Sequence, residues 1–208
     1  MGKDKNTKEE HLQDVDRVLE DVREHLERTD ELSEIYELRA LQLLLEVTKA
    51  LHSQRDPHKL FTLVLESLLS FAEAERAFLL LAEGDDAPRF KMGRTAQGHY
   101  LTQKDCVISH SAVEEALSKQ QPFVLVDAQT DVEFSSRQSI MDLELRTVIV
   151  VPLRYEDHVL GLLYADSTRP LTRYGQRYLN VLHALGEQVA VAVHNLGKFE
   201  THTGEESA

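Results

Sequence analysis

The sequence predicts an α+β fold, in which a central antiparallel sheet carries its first and last helices on one face and a long helix precedes the domain. Three observations predict this fold. Residues 8–52 contain neither Gly nor Pro, two neighbouring apolar runs at 147–153 and 159–165 bracket a short polar turn, and a long amphipathic stretch covers 174–196. The resulting order of helix, helix, strands, helix, strands and helix is typical of a single α+β domain.

The N-terminal stretch has the apolar spacing of a coiled coil. The seam, with gaps of three and four residues, consists of Leu12, Val15, Leu19, Val22 and Leu26. Its phase changes between Thr29 and Leu32, as in a short stammer. A helix of about 45 residues is roughly 65–70 Å long and must pack on something outside its own domain. We expect a homodimer through residues 1–40; the alternatives are a solitary charged helix or one folded back on its own chain.

After the N-terminal stretch, Asp56 suits the N-cap of a second helix and Pro57 suits its first turn. We predict a domain over 41–197. Further elements follow from apolar runs and turn residues: a helix with a wide apolar stripe over 57–72, strands over 76–82 and 89–93 around a turn at 84–88, a helix over 112–119 capped by Ser109, a strand over 123–126, and a short helix around 138–143.

The apolar pair at 147–153 and 159–165 predicts an antiparallel hairpin in the middle of the sheet. Both arms are continuously apolar, which is typical of strands covered on both faces. Pro152 cannot donate to the strand ladder, so we expect a bend or bulge there, and Gly161 indicates a close backbone approach. The last helix should end at Gly197, and residues 198–208 should form a disordered tail.

Several short motifs in this order resemble the GAF domain family. The chain has Val-Pro-Leu closing a hydrophobic strand at 151–153, a short polar turn, and a strand with Gly161 and Tyr164 that ends near Asp166. Val126-Asp127-Ala128 after a strand and Leu145-Arg146-Thr147 before the hairpin also fit. The chain looks especially like the GAF sensor domains that are joined to forkhead-associated or transcription-activator modules in bacterial regulators.

The resemblance implies a ligand pocket between the sheet and the segments spanning about 94–145. The residues expected to contact a small molecule are Ser109, Asp127, Phe134, Arg137, Arg146 and Thr147. Phe134 matches one position of the residue set that marks cyclic-nucleotide-binding members, but the residues after it do not supply the Asp-Glu pair of that set. The cations Arg94, Lys104, Arg137 and Arg146 either hold an anionic molecule or are solvated and paired with nearby acidic residues.

No catalytic or metal site is predicted. The single cysteine, Cys106, cannot complete an internal thiol-disulfide cycle or a multi-cysteine zinc site, and it does not stand in a Cys-His chromophore sequence. The histidines lack the one-turn pairing of a helical metal site, and there is no glycine-rich phosphate loop.

Composition restricts the partners. The net charge of −13 should repel a nucleic-acid backbone. A polar N-terminus without an apolar core and the absence of an 18-residue apolar run predict neither export nor a membrane span, hence a cytoplasmic protein. We therefore expect a non-catalytic signal-transduction module, sensing a small molecule or binding proteins as a homodimer and acting on a downstream protein or output domain. The alternative is a structural dimerisation scaffold without a ligand.

Overall fold

A six-stranded antiparallel sheet forms the centre of the domain. The structure is a computed structural model, and it describes residues 40, 43–50, 56–82, 84, 86–171 and 176–205. The predicted coiled-coil seam, Leu12 to Leu26, and the phase change at Thr29 lie outside the described residues. In chain order the strands are β1 (Arg76–Leu81), β2 (Arg89–Thr95), β3 (Tyr100–Leu101), β4 (Phe123–Leu125), β5 (Thr147–Tyr155) and β6 (His158–Ser167). Their order across the sheet is β3-β2-β1-β6-β5-β4.

The helices are α1 (described over 43–50), α2 (Pro57–Ala72), α3 (His110–Lys119), α4 (Gln138–Asp142) and α5 (Gln176–Glu205), and a 3-10 turn covers Gln103–Asp105. The predicted start of α2 is confirmed, because the Asp56 carboxylate accepts from the backbone N–H of His58 at 3.0 Å. Ser109 holds the N-cap position of α3, but its side chain makes no capping hydrogen bond.

Helices α2 and α5 cover one face of the sheet. Helix α2 packs on β1 and α5 packs on β5, and the two helices meet where the rings of Phe71 and Tyr178 stack with centroids 4.7 Å apart. Helix α1 reaches α5 through the Thr48 hydroxyl, 3.0 Å from Oε1 of Gln188. The prediction that the first and last helices lie together on one face is therefore confirmed.

The hairpin of β5 and β6 is also confirmed, with Val151 opposite Leu163. Its register shifts between Leu153 and Arg154, next to the proline that predicted a bulge. Gly161 adopts φ +154°, and a Cβ there would overlap the carbonyl oxygen of Leu80. This is the close backbone approach that the sequence predicted, since strand β1 lies directly beside the glycine.

The last helix differs from its predicted extent. Helix α5 passes Gly197 and continues to Glu205, so residues 198–205, predicted as part of a disordered tail, are helical. A single glycine inside a helix costs only about 1 kcal/mol relative to alanine, which does not by itself end a helix. A second glycine of α5, Gly186, serves packing, because a Cβ there would stand 2.8 Å from the carbonyl oxygen of Pro152 in β5.

Candidate functional site

The space in which the sequence predicted a ligand pocket lies between the sheet and helices α3 and α4. The sheet presents alternate residues of β1, β6 and β5 to it, and α3 and the segment 128–145 close it from the other side. Buried apolar side chains fill this interior, which we call the distal core: Phe78, Leu80, Ile108, Ala112, Ala116, Leu125, Ala128, Phe134, Ile140, Leu145, Val148, Val150, Leu162 and Tyr164. The predicted site is thus an apolar packing cluster in this structure.

Three of the predicted ligand residues lie inside the packing. Phe134 is 5% exposed, and its ring lies 5.3 Å from that of Phe123, centroid to centroid. Ser109 is fully buried. Thr147 is 2% exposed, and its hydroxyl donates to the carbonyl oxygen of Arg169 at 2.7 Å. Phe134 and Ser109 thus belong to the distal core and its border, whereas Thr147 precedes Val148 of that core on β5 and points to the opposite face of the sheet, which the predicted pocket does not include.

Two more of the predicted ligand residues bind each other. The Arg146 guanidinium donates through Nε to Oδ1 of Asp127 at 3.0 Å and through Nη2 to Oδ2. The hydrogen bond from Arg146 lowers the pKa of Asp127 below its ordinary value, against a smaller effect of burial. The pair fastens the segment after β4 to the start of β5. Arg137, the last of the six, is exposed at the N-terminal end of α4.

Sequence reasoning missed a buried polar cluster at the edge of the distal core. Asp166 of β6 is 1% exposed and stands opposite Arg76 of β1. The Arg76 guanidinium donates hydrogen bonds to both carboxylate oxygens, from Nε to Oδ1 at 2.9 Å and from Nη2 to Oδ2 at 2.6 Å. Burial raises the pKa of Asp166, and the hydrogen bonds and charge of Arg76 oppose that rise. The carboxylate therefore depends on Arg76 to stay ionised inside the fold.

The same cluster attaches the start of α3 to the sheet. The buried hydroxyl of Tyr164 accepts a hydrogen bond from the backbone N–H of Ser109 at 3.1 Å, and burial raises the pKa of this tyrosine well above its ordinary value. Nη2 of Arg76 also donates to the carbonyl oxygen of Val107 at 3.4 Å. Burial raises the pKa of the half-buried Cys106 thiol as well, which keeps it protonated and weakly nucleophilic.

Arg94 lies on the opposite face of the sheet from the distal core. A Cβ on Gly93 would meet the Phe78 ring of the distal core at 2.7 Å, so the neighbouring Arg94 points to the α2 side. There its Nη2 donates to Oε1 of Glu66 in α2. The interpretation of Arg94 as a cation near the pocket is therefore wrong, because strand alternation turns it away.

The described residues contain neither a cluster of metal ligands nor a membrane-spanning helix. Across those residues, no three His, Cys, Asp or Glu side chains lie together as metal ligands would. In the same part of the chain, no helix combines the length and the apolar character that crossing a bilayer requires.

Comparisons with known proteins agree on the fold. A family model described as GAF domain matches residues 56–193, whereas no curated protein matches the sequence significantly. Among solved structures, the chain is similar to the GAF domain of a phosphoenolpyruvate-protein phosphotransferase from Coxiella burnetii, with a TM-score of 0.61, 12% identity, and coverage of 79% of this chain and 98% of that one.

Two further solved structures are similar. For the GAF domain of the Acinetobacter phosphoenolpyruvate-protein phosphotransferase, the TM-score is 0.59 at 14% identity, covering 78% of this chain and 97% of that one. For the phycocyanobilin-bound GAF domain of a cyanobacterial phytochrome, the TM-score is 0.58 at 14% identity, covering 76% and 94%. At these identities the likeness concerns the fold.

Proposed function

The chain belongs to the GAF domain family, and from that premise we propose that it is a non-catalytic signal-transduction domain that works by protein interaction as a homodimer. The filled distal core carries this proposal. Phe134, Ile140 and Tyr164 are buried members of the distal core, in the region where the sequence predicted the ligand pocket. A domain whose interior is filled by its own side chains acts through its surface and its helices.

The homodimer is supported by the sequence and by two exposed apolar side chains. The seam from Leu12 to Leu26 has coiled-coil spacing. Leu45 of α1 is 55% exposed and Val191 of α5 is 45% exposed, on the two helices that meet at Thr48 and Gln188. A second copy that pairs through the predicted coiled coil could cover these side chains as well.

A second candidate function is small-molecule sensing behind α3. It is favoured by the polar cluster of Arg76, Tyr164 and Asp166, which supplies buried hydrogen-bonding groups at the edge of the distal core. A similar GAF domain, that of the cyanobacterial phytochrome, is bound to phycocyanobilin. For this chain, a ligand there would have to displace Phe134 and move the segment 128–145.

Native mass spectrometry of the gently purified full chain tests both candidates. We expect a species of twice the 23.7 kDa chain mass with no molecule retained in the distal core. A small molecule that stays bound when Ser70→Phe changes the opposite face of the sheet would overturn the ligand-free distal core and favour sensing behind α3.

The contribution of the seam is tested with a matched pair of variants. Leu19→Asp should convert the dimer to a monomer, because it places a charge in the apolar seam. Gln13→Asp, outside the seam, should leave the dimer intact. A monomeric wild type at micromolar concentration, or an L19D protein that remains dimeric, would contradict the proposed assembly.

A further inference from the structure

A cavity of about 410 Å³ lies on the α2 side of the sheet. We call it the α2 cavity; it is lined by Glu66, Leu69, Ser70, Thr95, Ala96 and Gly98. Its far wall is the turn between β2 and β3, in which the N–H of Gly98 donates to the carbonyl oxygen of Thr95 at 2.9 Å. Gly98 adopts φ +82°, a conformation that L residues with side chains rarely take. The volume falls in the range of small-molecule sites, roughly 300–1,000 Å³.

A buried cation lies directly behind two of the residues that line this cavity. The Arg94 side chain is 9% exposed, and its Nη2 bonds Glu66 and lies 3.7 Å from the place of a Cβ on Gly98. Both of these neighbours line the cavity. The ring of Tyr100 covers one face of the guanidinium, with the central carbon of Arg94 4.3 Å from the ring centroid. The ring thus holds the cation in place, and its Nη2 lies behind Glu66 and Gly98, two residues that line the cavity.

The guanidinium is incompletely satisfied. A guanidinium has five N–H donors, yet Glu66 meets it through a single oxygen, and Nε is buried without a hydrogen-bond partner. The Glu66 side chain is 48% exposed, so water competes for it and it is free to turn outward from α2. A planar anion that offers two oxygens would serve this cation better than Glu66 does.

The surrounding charge selects the kind of anion. A phosphate carries close to two negative charges and would be repelled both by Glu66 and by a chain of net charge −13. A monocarboxylate neutralises one guanidinium with one charge. The hydroxyl groups of Ser70 and Thr95 and the apolar side chains of Leu69 and Ala96 suit the remainder of a small, weakly polar molecule.

We propose that the α2 cavity binds a small molecule carrying one carboxylate, which takes the place of Glu66 as the partner of Arg94. Release of Glu66 then couples occupation of the cavity to the outer surface of α2. The proposal does not rest on the function proposed above, because this cavity and the distal core lie on opposite faces of the sheet.

The test uses benzoate as the probe and uncharged benzamide as its matched control, with the full chain, ligand-observed saturation-transfer NMR to detect binding and protein-observed amide spectra to locate it. Benzoate should bind and shift the amide signals of Ser70 and Gly98, and benzamide should not. Glu66→Gln removes the competing carboxylate and should tighten benzoate binding by about fivefold, the upper range for a partly exposed ion pair. Glu114→Gln, the same charge change on α3, should leave binding unchanged.

Ser70→Phe fills the cavity from an exposed helix position and should abolish binding; Ala96→Leu does the same from the turn, should the first variant fail to fold. The proposal is overturned if benzoate binds neither the wild type nor E66Q, if the cavity-filling variants leave binding unchanged, or if benzamide binds equally well. Inorganic phosphate binding more tightly than benzoate would overturn the assignment to a monocarboxylate.

Discussion

At the scale of single residues, Arg76 determines whether a carboxylate can stay charged inside the sheet. Asp166 is almost completely buried, and its pKa is raised from the ordinary value of 3.8 even with the guanidinium on both of its oxygens. The sequence does not reveal this pair, because Arg76 and Asp166 stand 90 positions apart and meet only through the register of β1 with β6. An arginine and an aspartate at the ends of apolar strands are the signal that could have indicated it.

Arg76→Met should destabilise the fold by about 2–4 kcal/mol at neutral pH, below the upper range for a broken buried pair because the Arg76 side chain is 26% exposed. Without the guanidinium, the pKa of folded Asp166 rises further. A carboxyl group with a raised pKa in the folded state stabilises the fold below its unfolded pKa, and this stability is lost as the pH rises through the folded pKa. The loss of unfolding free energy in the variant, relative to the wild type, should therefore be small near pH 3.8 and grow above it.

Urea unfolding from acidic to neutral pH measures this dependence. The double variant Arg76→Met/Asp166→Asn, which buries no charge, should recover part of the loss at neutral pH. Arg89→Met, at an exposed ion pair with Asp86, should change stability by no more than about 0.5 kcal/mol. If R76M loses the same unfolding free energy at every pH, Arg76 does not act by keeping Asp166 ionised.

At the scale of elements, the sequence predicted those features that neighbouring residues determine by themselves. Asp56 and Pro57 define the start of α2, and the continuous apolar runs identify β5 and β6 as covered strands. Local chemistry was insufficient where packing competes with it. Gly197 did not end α5, and Ser109 stands at an N-cap without capping by its side chain, whose hydroxyl lies 3.3 Å from that of Ser111.

Gly161→Ala should destabilise the hairpin by at least about 3 kcal/mol, because the methyl group overlaps the backbone of β1 and the φ of +154° is strained for alanine. Gly84→Ala is the matched control. Gly84 also has a positive φ, +63°, but nothing lies within 4 Å of its Cβ position. We therefore expect this substitution to lower the free energy of unfolding by about 1 kcal/mol. Denaturant unfolding compares the two, and equal losses would show that conformation rather than contact sets the cost.

At the scale of the whole molecule, the sequence predicted the layers but not the volume between them. Phe134, expected to contact a ligand, contributes to the distal core instead. Whether an aromatic side chain lines a hollow or fills it depends on how β4, β5, α3 and α4 close around it. No spacing in the sequence encodes that volume. The pairing of Arg146 with Asp127 is one of the two alternatives that the sequence left open, and the sequence could not decide between them because a ligand site and an ion pair use the same residue types.

Phe134→Ala should reduce the free energy of unfolding by about 3 kcal/mol, because it removes a buried ring and leaves an apolar cavity. Benzene should raise the melting temperature of this variant and not that of the wild type, as it does when it occupies a dry cavity. Val132→Ala, two residues away and 98% exposed, should change stability by less than about 0.5 kcal/mol. A wild-type protein stabilised by benzene to the same degree would mean that the distal core is already hollow.

The glycine at position 186 has a mechanical consequence. Where α5 crosses β5, the carbonyl oxygen of Pro152 lies so near that no side chain fits between helix and strand. The Val151 side chain lies equally near, so helix and strand meet there without a helix side chain between them. Interiors packed to crystal-like density transmit small displacements rather than absorb them. A displacement of β5 at Pro152 should therefore be passed directly to α5.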